Sequence, residues 1–193
     1  MKIPFVSFEK MHDEIKDELT GKFQQVLAKN WFIQGEELAK FEEEYAAYCG
    51  VKYCVGVGNG LDALFLPLKA YGIGTGDEVI VPSNTFIATA LAVSYTGATP
   101  VFVEPTLESF DIDPARIEEK ITDKTKILVM PFPNNPTGAI MTKEDLAPIV
   151  DIIIEKDLFV ISDEIYSELT YGTDHVTIAA FPVSYTHLTL PTT

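Results

Sequence analysis

Apolar side chains fall at three- and four-residue intervals through the first fifty residues, and in short unbroken runs after them. Phe8, Met11, Ile15, Leu19, Phe23, Val26 and Leu27 keep helical spacing and predict a helix over 8–29. The run Trp31-Phe32-Ile33-Gln34-Gly35 interrupts it. Leu38, Phe41, Tyr45 and Tyr48 form a second stripe, predicting a helix over 36–48 that stops before Gly50. Beyond it, runs at 53–57, 78–81, 99–103, 126–130 and 158–162 predict strands, with helices at 60–71, 85–95, 114–121 and 142–155 between them. Apolar strands separated by helices imply a largely parallel sheet covered on both faces, an α/β architecture. Pro67 falls inside a predicted helix, where it removes a hydrogen bond and should kink it.

This periodicity divides the chain into an N-terminal helical segment, 1–50, a large domain, 51–182, and a tail, 183–193. The tail, VSYTHLTLPTT, carries four threonines and continues none of the preceding elements. It reads as the in-frame translation of a sequencing adapter and is set apart from the fold on that ground; a natural strand-like tail is the alternative.

Composition narrows the classes. The 193 residues allow one domain of ordinary size. A formal net charge of −15, with Arg116 the only arginine, opposes binding to phosphate backbones and disfavours a nucleic-acid partner. Cys49 and Cys54 are spaced for neither a metal pair nor a redox motif, and read as buried free thiols. The opening Met1-Lys2-Ile3-Pro4 has no apolar signal core, and no apolar run reaches membrane-spanning length. The expectation is a soluble cytoplasmic chain with no membrane role.

Four motifs sit where predicted strands end. Gly56-Val57-Gly58-Asn59-Gly60-Leu61-Asp62 opens a helix, and the N–H groups at such a start can hold an anion. Leu61 stands where a dinucleotide fingerprint needs its third glycine, so a single phosphate is the better fit. Pro82-Ser83-Asn84-Thr85-Phe86 places Phe86 either against a flat ligand or in the core. Pro133-Asn134-Asn135-Pro136-Thr137-Gly138 is a constrained turn that fixes the Asn135 amide. Ser162-Asp163-Glu164-Ile165-Tyr166 sets Asp163 where its carboxylate needs a positive or donating partner, such as a protonated pyridine nitrogen, or else makes it a helix cap.

Together these motifs carry a resemblance. The runs NWFIQGEELAKFEEEYAAYCG, VGVGNGLDAL, GIGTGDEVIVPSNTFIATALAVSYTGATPVFVEP and DIDPARIEEKIT resemble the DegT/DnrJ/StrS-type sugar aminotransferases over residues 3 to 125. Residues 121–182, through PFPNNPTGAIMTKEDL and FVISDEIYSELTYG, look like class I/II amino-acid aminotransferases. The chain therefore reads as a chimera joined within ITDKTKILVM. Both branches imply the large domain of a fold-type I transferase, incomplete here, that uses pyridoxal 5′-phosphate. Both also imply a homodimer, and the sugar branch, which covers the longer portion, implies a nucleotide-linked keto sugar as acceptor and an amino acid, usually glutamate, as donor.

The resemblance assigns the backbone around Gly60, Leu61 and Asp62 to the phosphate and Phe86 to stacking on the ring. It assigns Asn135 and Tyr166 to the phenolic oxygen and Asp163 to the pyridine nitrogen. Trp31 and Phe32 match a region near the substrate in the sugar branch. Both branches also need a lysine for the Schiff base, which this chain does not present in the matching place. Lys143 and Lys156 read as surface charges, and Arg116 as no substrate clamp. The chain alone is thus expected to be inactive, with no catalytic residue assigned. Amino-acid transamination and a non-catalytic fragment stay open as alternatives.

Overall fold

A computed structural model describes residues 3–181 and the pair Leu188–Thr189. The chain forms two compact units, Met1–Gly56 and Val57–Thr193.

The first unit holds α1 (Glu9–Lys29) and α2 (Glu36–Tyr48), close to the bounds their periodicity predicts. Asn30, at φ 52°, ends α1 in a left-handed turn whose N–H reaches the carbonyls of Val26 and Leu27. The apolar stripe of α1 is uncovered: no residue of the helix is buried, and Phe8, Met11, Leu19 and Phe23 are exposed. Residues 53–57 form no strand among the described residues, against expectation. Tyr53 and Val55 there are exposed, and the Gly56 N–H donates to the Glu42 carboxylate at 2.8 Å in place of a ladder bond. Cys49 and Cys54 are free and half-buried rather than buried.

The second unit is built on a five-stranded sheet. It comprises α3 (Gly60–Ala70), β1 (Glu78–Pro82), α4 (Ala88–Thr96), β2 (Thr99–Val103), α5 (Pro114–Lys120), β3 (Thr125–Pro131), α6 (Lys143–Glu155), β4 (Phe159–Asp163) and β5 (Leu188–Thr189). The strand order is β2-β1-β3-β4-β5, and every pairing is parallel. The pair forming β5 belongs to the tail and adds to the edge of β4; the rest of the adapter-like reading lies outside the described residues. Residue types explain the helix boundaries. Asn59 caps α3, Asp113 with Pro114 starts α5, and Thr142 with Asp145 forms a reciprocal capping box on α6. Pro67 sits within α3 without ending it, and the helix runs on to Ala70.

Strand alternation splits the core in two. Val79, Val81, Ile127, Val129 and Ile161 point to the face that packs Leu64 and Leu68 of α3 and Val93 of α4. Ile80, Leu128, Met130 and Val160 point to the other face, against Ile117 of α5 and Leu146, Ile149 and Ile153 of α6. The chain moves from β1 to β2 in one direction, then to β3 and β4 in the other. Right-handed crossovers put the intervening helices on opposite faces. The reversal between β1 and β3 opens a crevice at the carboxyl ends of these strands.

One buried charge strains this scaffold. Asp111, 7% exposed, precedes Ile112 in the bridge to Pro105. Burial pushes its carboxyl up to about 6; a hydrogen bond from Ser109 opposes this and the Asp145 charge adds to it. The folded chain therefore binds more protons than the unfolded one between 3.8 and about 6, and stability falls as pH rises through that window. Asp111→Asn should stabilise the chain near neutral pH by on the order of 1–3 kcal/mol, with the gain gone below about pH 4. Urea denaturation across pH measures this; an unchanged or lower stability near neutrality would show that Asp111 is not penalised.

Candidate active site

At the crevice the second unit encloses a cavity of about 500 Å³. Its walls come from the start of α3, the loop after β1, the loop after β3 and the turn after β4. Six of the seven residues singled out from the sequence line it: Gly60, Leu61, Phe86, Asn135, Asp163 and Tyr166. Asp62 does not. Its N–H donates to Asn59 Oδ1 at 3.0 Å and its carboxylate accepts from Asn59 Nδ2 at 2.9 Å, so the cap uses both groups. That leaves Gly60 and Leu61, whose N–H groups have no intrahelical acceptor because they open the helix. A Cβ on Gly60 would meet no protein atom within 4 Å, so the fold leaves room over this helix start.

Phe86 is 60% exposed and faces the cavity, so it is no core residue. Asn135 and Tyr166 form one unit, the amide donating to the phenol oxygen at 3.1 Å. Asp163 ends β4 on the α3/α4 side and is half-buried at the cavity wall, with Oδ1 3.5 Å from the Ile165 N–H. Trp31 and Phe32 belong to the first unit, where both are exposed. Arg116 pairs with Asp113 at 3.4 Å and Lys156 with Glu155 at 2.7 Å, away from the cavity lining.

Several supporting residues carry no motif in the sequence reading. Buried Asn134 donates to the Asn84 carbonyl at 2.7 Å and accepts from Thr137 Oγ1 at 3.0 Å, tying the loop after β3 to the loop after β1. The doubled asparagine before the proline was the available signal. Buried Thr89 lines the cavity with its hydroxyl 3.2 Å from that of Thr85. Glu164, 8% exposed, lies on the opposite sheet face from Asp163. Its Oε1 accepts from Ser162 and Thr177, both at 2.6 Å, and its Oε2 lies 2.8 Å from His175 Nε2. Nothing in the sequence spacing relates Glu164 to residues eleven and thirteen positions later.

The donor set has a definite chemical shape. Free N–H groups at a helix start suit a phosphate, an exposed aromatic face suits a flat ring, and a carboxylate suits a cationic ring nitrogen. The Asn135–Tyr166 pair suits an anionic oxygen on that ring. These residues fit a phosphorylated pyridine.

The fold is that of a fold-type I aminotransferase large domain, and comparison with known proteins places it further. The model of the DegT/DnrJ/EryC1/StrS aminotransferase family matches residues 13–166, and the chain belongs to that family. The match runs through the suspected changeover and reaches Tyr166. The dTDP-3-amino-3,6-dideoxy-alpha-D-galactopyranose transaminase of Aneurinibacillus thermoaerophilus is 52% identical over 128 residues, 66% of this chain and 35% of that protein. The Streptomyces venezuelae DesV structure superposes with a TM-score of 0.75 at 38% identity, covering 83% of this chain and 42% of that one. A Bacillus subtilis NtdA structure with bound PMP gives a TM-score of 0.73 at 33% identity, covering 83% and 36%. Aspartate aminotransferase from Thermus thermophilus gives 0.62 at 38% identity, covering 67% and 34%. The chain spans about a third of the length of the curated relatives it matches.

The Glu164 cluster has a pH signature. Burial raises its carboxyl, but the hydrogen bonds from His175, Ser162 and Thr177 outweigh this and hold it below its ordinary 4.5. Its contribution to stability is present above about pH 4.5 and lost as pH falls through the lowered value. Glu164→Gln should flatten the acid limb of a stability-against-pH curve; a wild-type limb in the variant would mean other carboxylates set it.

Proposed function

We propose that this chain forms the cofactor-holding part of a nucleotide-sugar aminotransferase, with pyridoxal 5′-phosphate or its amine form seated in the cavity of the second unit. The convergence of Asp163, the Asn135–Tyr166 pair, Phe86 and the Gly60–Leu61 N–H groups on one space supports it most. When bound, the cofactor supplies an electron sink for proton transfer at the amino-bearing carbon. The protein holds and orients it. Asp163 keeps a proton on the ring nitrogen, Tyr166 and Asn135 hold the phenolic oxygen, Phe86 covers one ring face, and the start of α3 holds the phosphate. The acceptor is a keto sugar on a nucleoside diphosphate, a reading that the dTDP-amino-sugar names of the relatives support, and the donor is an amino acid such as glutamate.

Among the described residues no lysine lines the cavity. The cofactor is therefore held here without a covalent bond, and the chain alone does not turn over. The uncovered stripe of α1 supports assembly as a homodimer, since an exposed apolar face of that length is characteristic of an interface. Two free cysteines support a reducing, cytoplasmic setting. No helix of the described residues is long and apolar enough to cross a membrane.

A second reading, amino-acid transamination, draws support from the turns at Pro133–Gly138 and Ser162–Tyr166 and from the likeness to aspartate aminotransferase. Thermal shift separates the two. Stabilisation by dTDP and not by maleate is expected, and the reverse would favour an amino-acid substrate.

Titration calorimetry with pyridoxamine 5′-phosphate tests the cofactor site, because that amine cannot condense with surface lysines. Saturable binding is expected, weakened roughly ten- to hundredfold in Asp163→Asn, the loss of one charge-assisted hydrogen bond. No binding, or an unchanged Kd in D163N, sinks the reading. Borohydride treatment with pyridoxal 5′-phosphate should label no lysine at the cavity, and glutamate should yield no 2-oxoglutarate. Turnover together with a labelled cavity peptide would overturn the non-covalent part.

A further inference from the structure

Asp163 and Glu164 are consecutive acids at the end of a buried strand, and only one can face the cavity. Residues 160, 162 and 164 share one sheet face, while 161 and 163 share the other. Val160 packs in the cluster on the α6 side and Ile161 in the cluster on the α3 side, which fixes the phase of β4. The ladder carries that phase to the strand end: Ser162 is opposite Met130, Asp163 is opposite Pro131, and the Phe132 N–H donates to the Asp163 carbonyl at 3.1 Å. Beyond Asp163 no ladder partner is left to hold it, and a one-residue slip would turn Glu164 into the cavity and Asp163 away from it.

The far face of the sheet prevents this. Glu164 receives Ser162 Oγ and Thr177 Oγ1, both at 2.6 Å, and stands 2.8 Å from His175 Nε2. His175 also packs on Phe132, ring centres 5.5 Å apart, and the next turn buries Ile178 completely in the α6-side core. The Glu164 main chain closes the turn that presents Tyr166, its carbonyl accepting from the Ser167 N–H at 2.9 Å. One residue therefore ties the returning segment 175–178 to the sheet and forms the first corner of the turn that carries Tyr166.

We propose that Glu164 is a positioning residue: its anchor on Ser162, His175 and Thr177 selects Asp163 as the carboxylate that meets the ring nitrogen and sets the Tyr166 turn. The inference rests on the cofactor reading above. Glu164 touches neither ring nor phosphate; it acts through its neighbour. An amide can replace it in part, since the oxygen of E164Q accepts from both hydroxyls and its NH₂ donates to His175 in the tautomer that leaves Nε2 free. Alanine cannot, and leaves the buried Ser162 and its two companions without their acceptor.

The readout is the protonation of the ring nitrogen of bound pyridoxamine 5′-phosphate, followed by absorbance against pH, with affinity from calorimetry and folding from circular dichroism. In the wild-type chain the nitrogen should stay protonated to higher pH than in free ligand. Glu164→Ala should lose that elevation and bind roughly tenfold or more weakly. Thr177→Val, which removes one donor to Glu164 together with the acceptor of the Ala179 N–H, should move both quantities the same way by less, and carries the test if the alanine variant does not fold. Glu164→Gln should restore most of both. Inorganic phosphate, bound at the start of α3, should compete equally well in all variants. A folded E164A or T177V with wild-type nitrogen titration overturns the positioning role while leaving the cofactor reading intact. A wild-type chain that binds no pyridoxamine 5′-phosphate overturns both.

Discussion

The two-residue period of a β-strand is the constraint on which the second unit depends. It sorts β4 so that Ile161 and Asp163 belong to one face and Val160, Ser162 and Glu164 to the other. The same sorting in β1 and β3 divides the core between α3/α4 and α5/α6. A carboxylate at the cavity wall on one side and a hydrogen-bonded carboxylate on the other follow from placing two acids in succession at the strand end. Exchanging the two acids by moving the whole strand would carry apolar side chains out of two cores at once, so the choice between them is made at the strand end, past the last ladder pair.

Burial then decides what each acid costs. Glu164 is nearly inaccessible, yet three donors keep it ionised below its ordinary range. Asp111 is buried to the same degree with only Ser109 to donate and another acid nearby, and it rises to about 6. The difference is not depth but the number of hydrogen bonds each carboxylate receives. Glu164, on the α5/α6 side of the sheet, thus holds its charge with fixed donors. On the cavity side, Asp163 keeps its wall position beside open space, where a cationic group has room to approach.

Much of this could be read from residue order, and the limits have physical causes. Helices α1, α2 and α6 and strands β1 to β4 follow from apolar spacing because their apolar stripes and runs are long, and only α6 adds a side-chain capping box. The run at 53–57 reads as a strand but forms none among the described residues, because an apolar, β-prone sequence reveals nothing about whether a neighbour exists to pair with it. Phe86, Asn135, Asp163 and Tyr166 follow the ends of β1, β3 and β4, and strand ends meet in a parallel sheet, so they share one cavity, which Gly60 and Leu61 join from the start of α3. Asp62 was grouped with them by adjacency, but the side chain of Asn59 claims it. Glu164, His175 and Thr177 left no trace in the spacing, since a contact between a strand end and a later loop has no period.

Binding and turnover come apart in a site of this kind. In the proposed reading the groups that line the cavity address the phosphate, the ring face, the ring nitrogen and the phenolic oxygen, so each acts on the cofactor itself. None is a base placed to carry a proton from a substrate carbon, and no lysine lines the wall among the described residues. Orientation by several fixed partners needs no covalent bond, because the helix start and the Asp163 carboxylate lie in different walls and set the two ends of a rigid ring. The proton transfer that completes an amino-group exchange does need a mobile amine or its equivalent beside the reacting carbon. In the proposed reading the recognition half of the chemistry lies in the second unit, Val57–Thr193, while the catalytic half depends on an amine that does not line this cavity among the described residues.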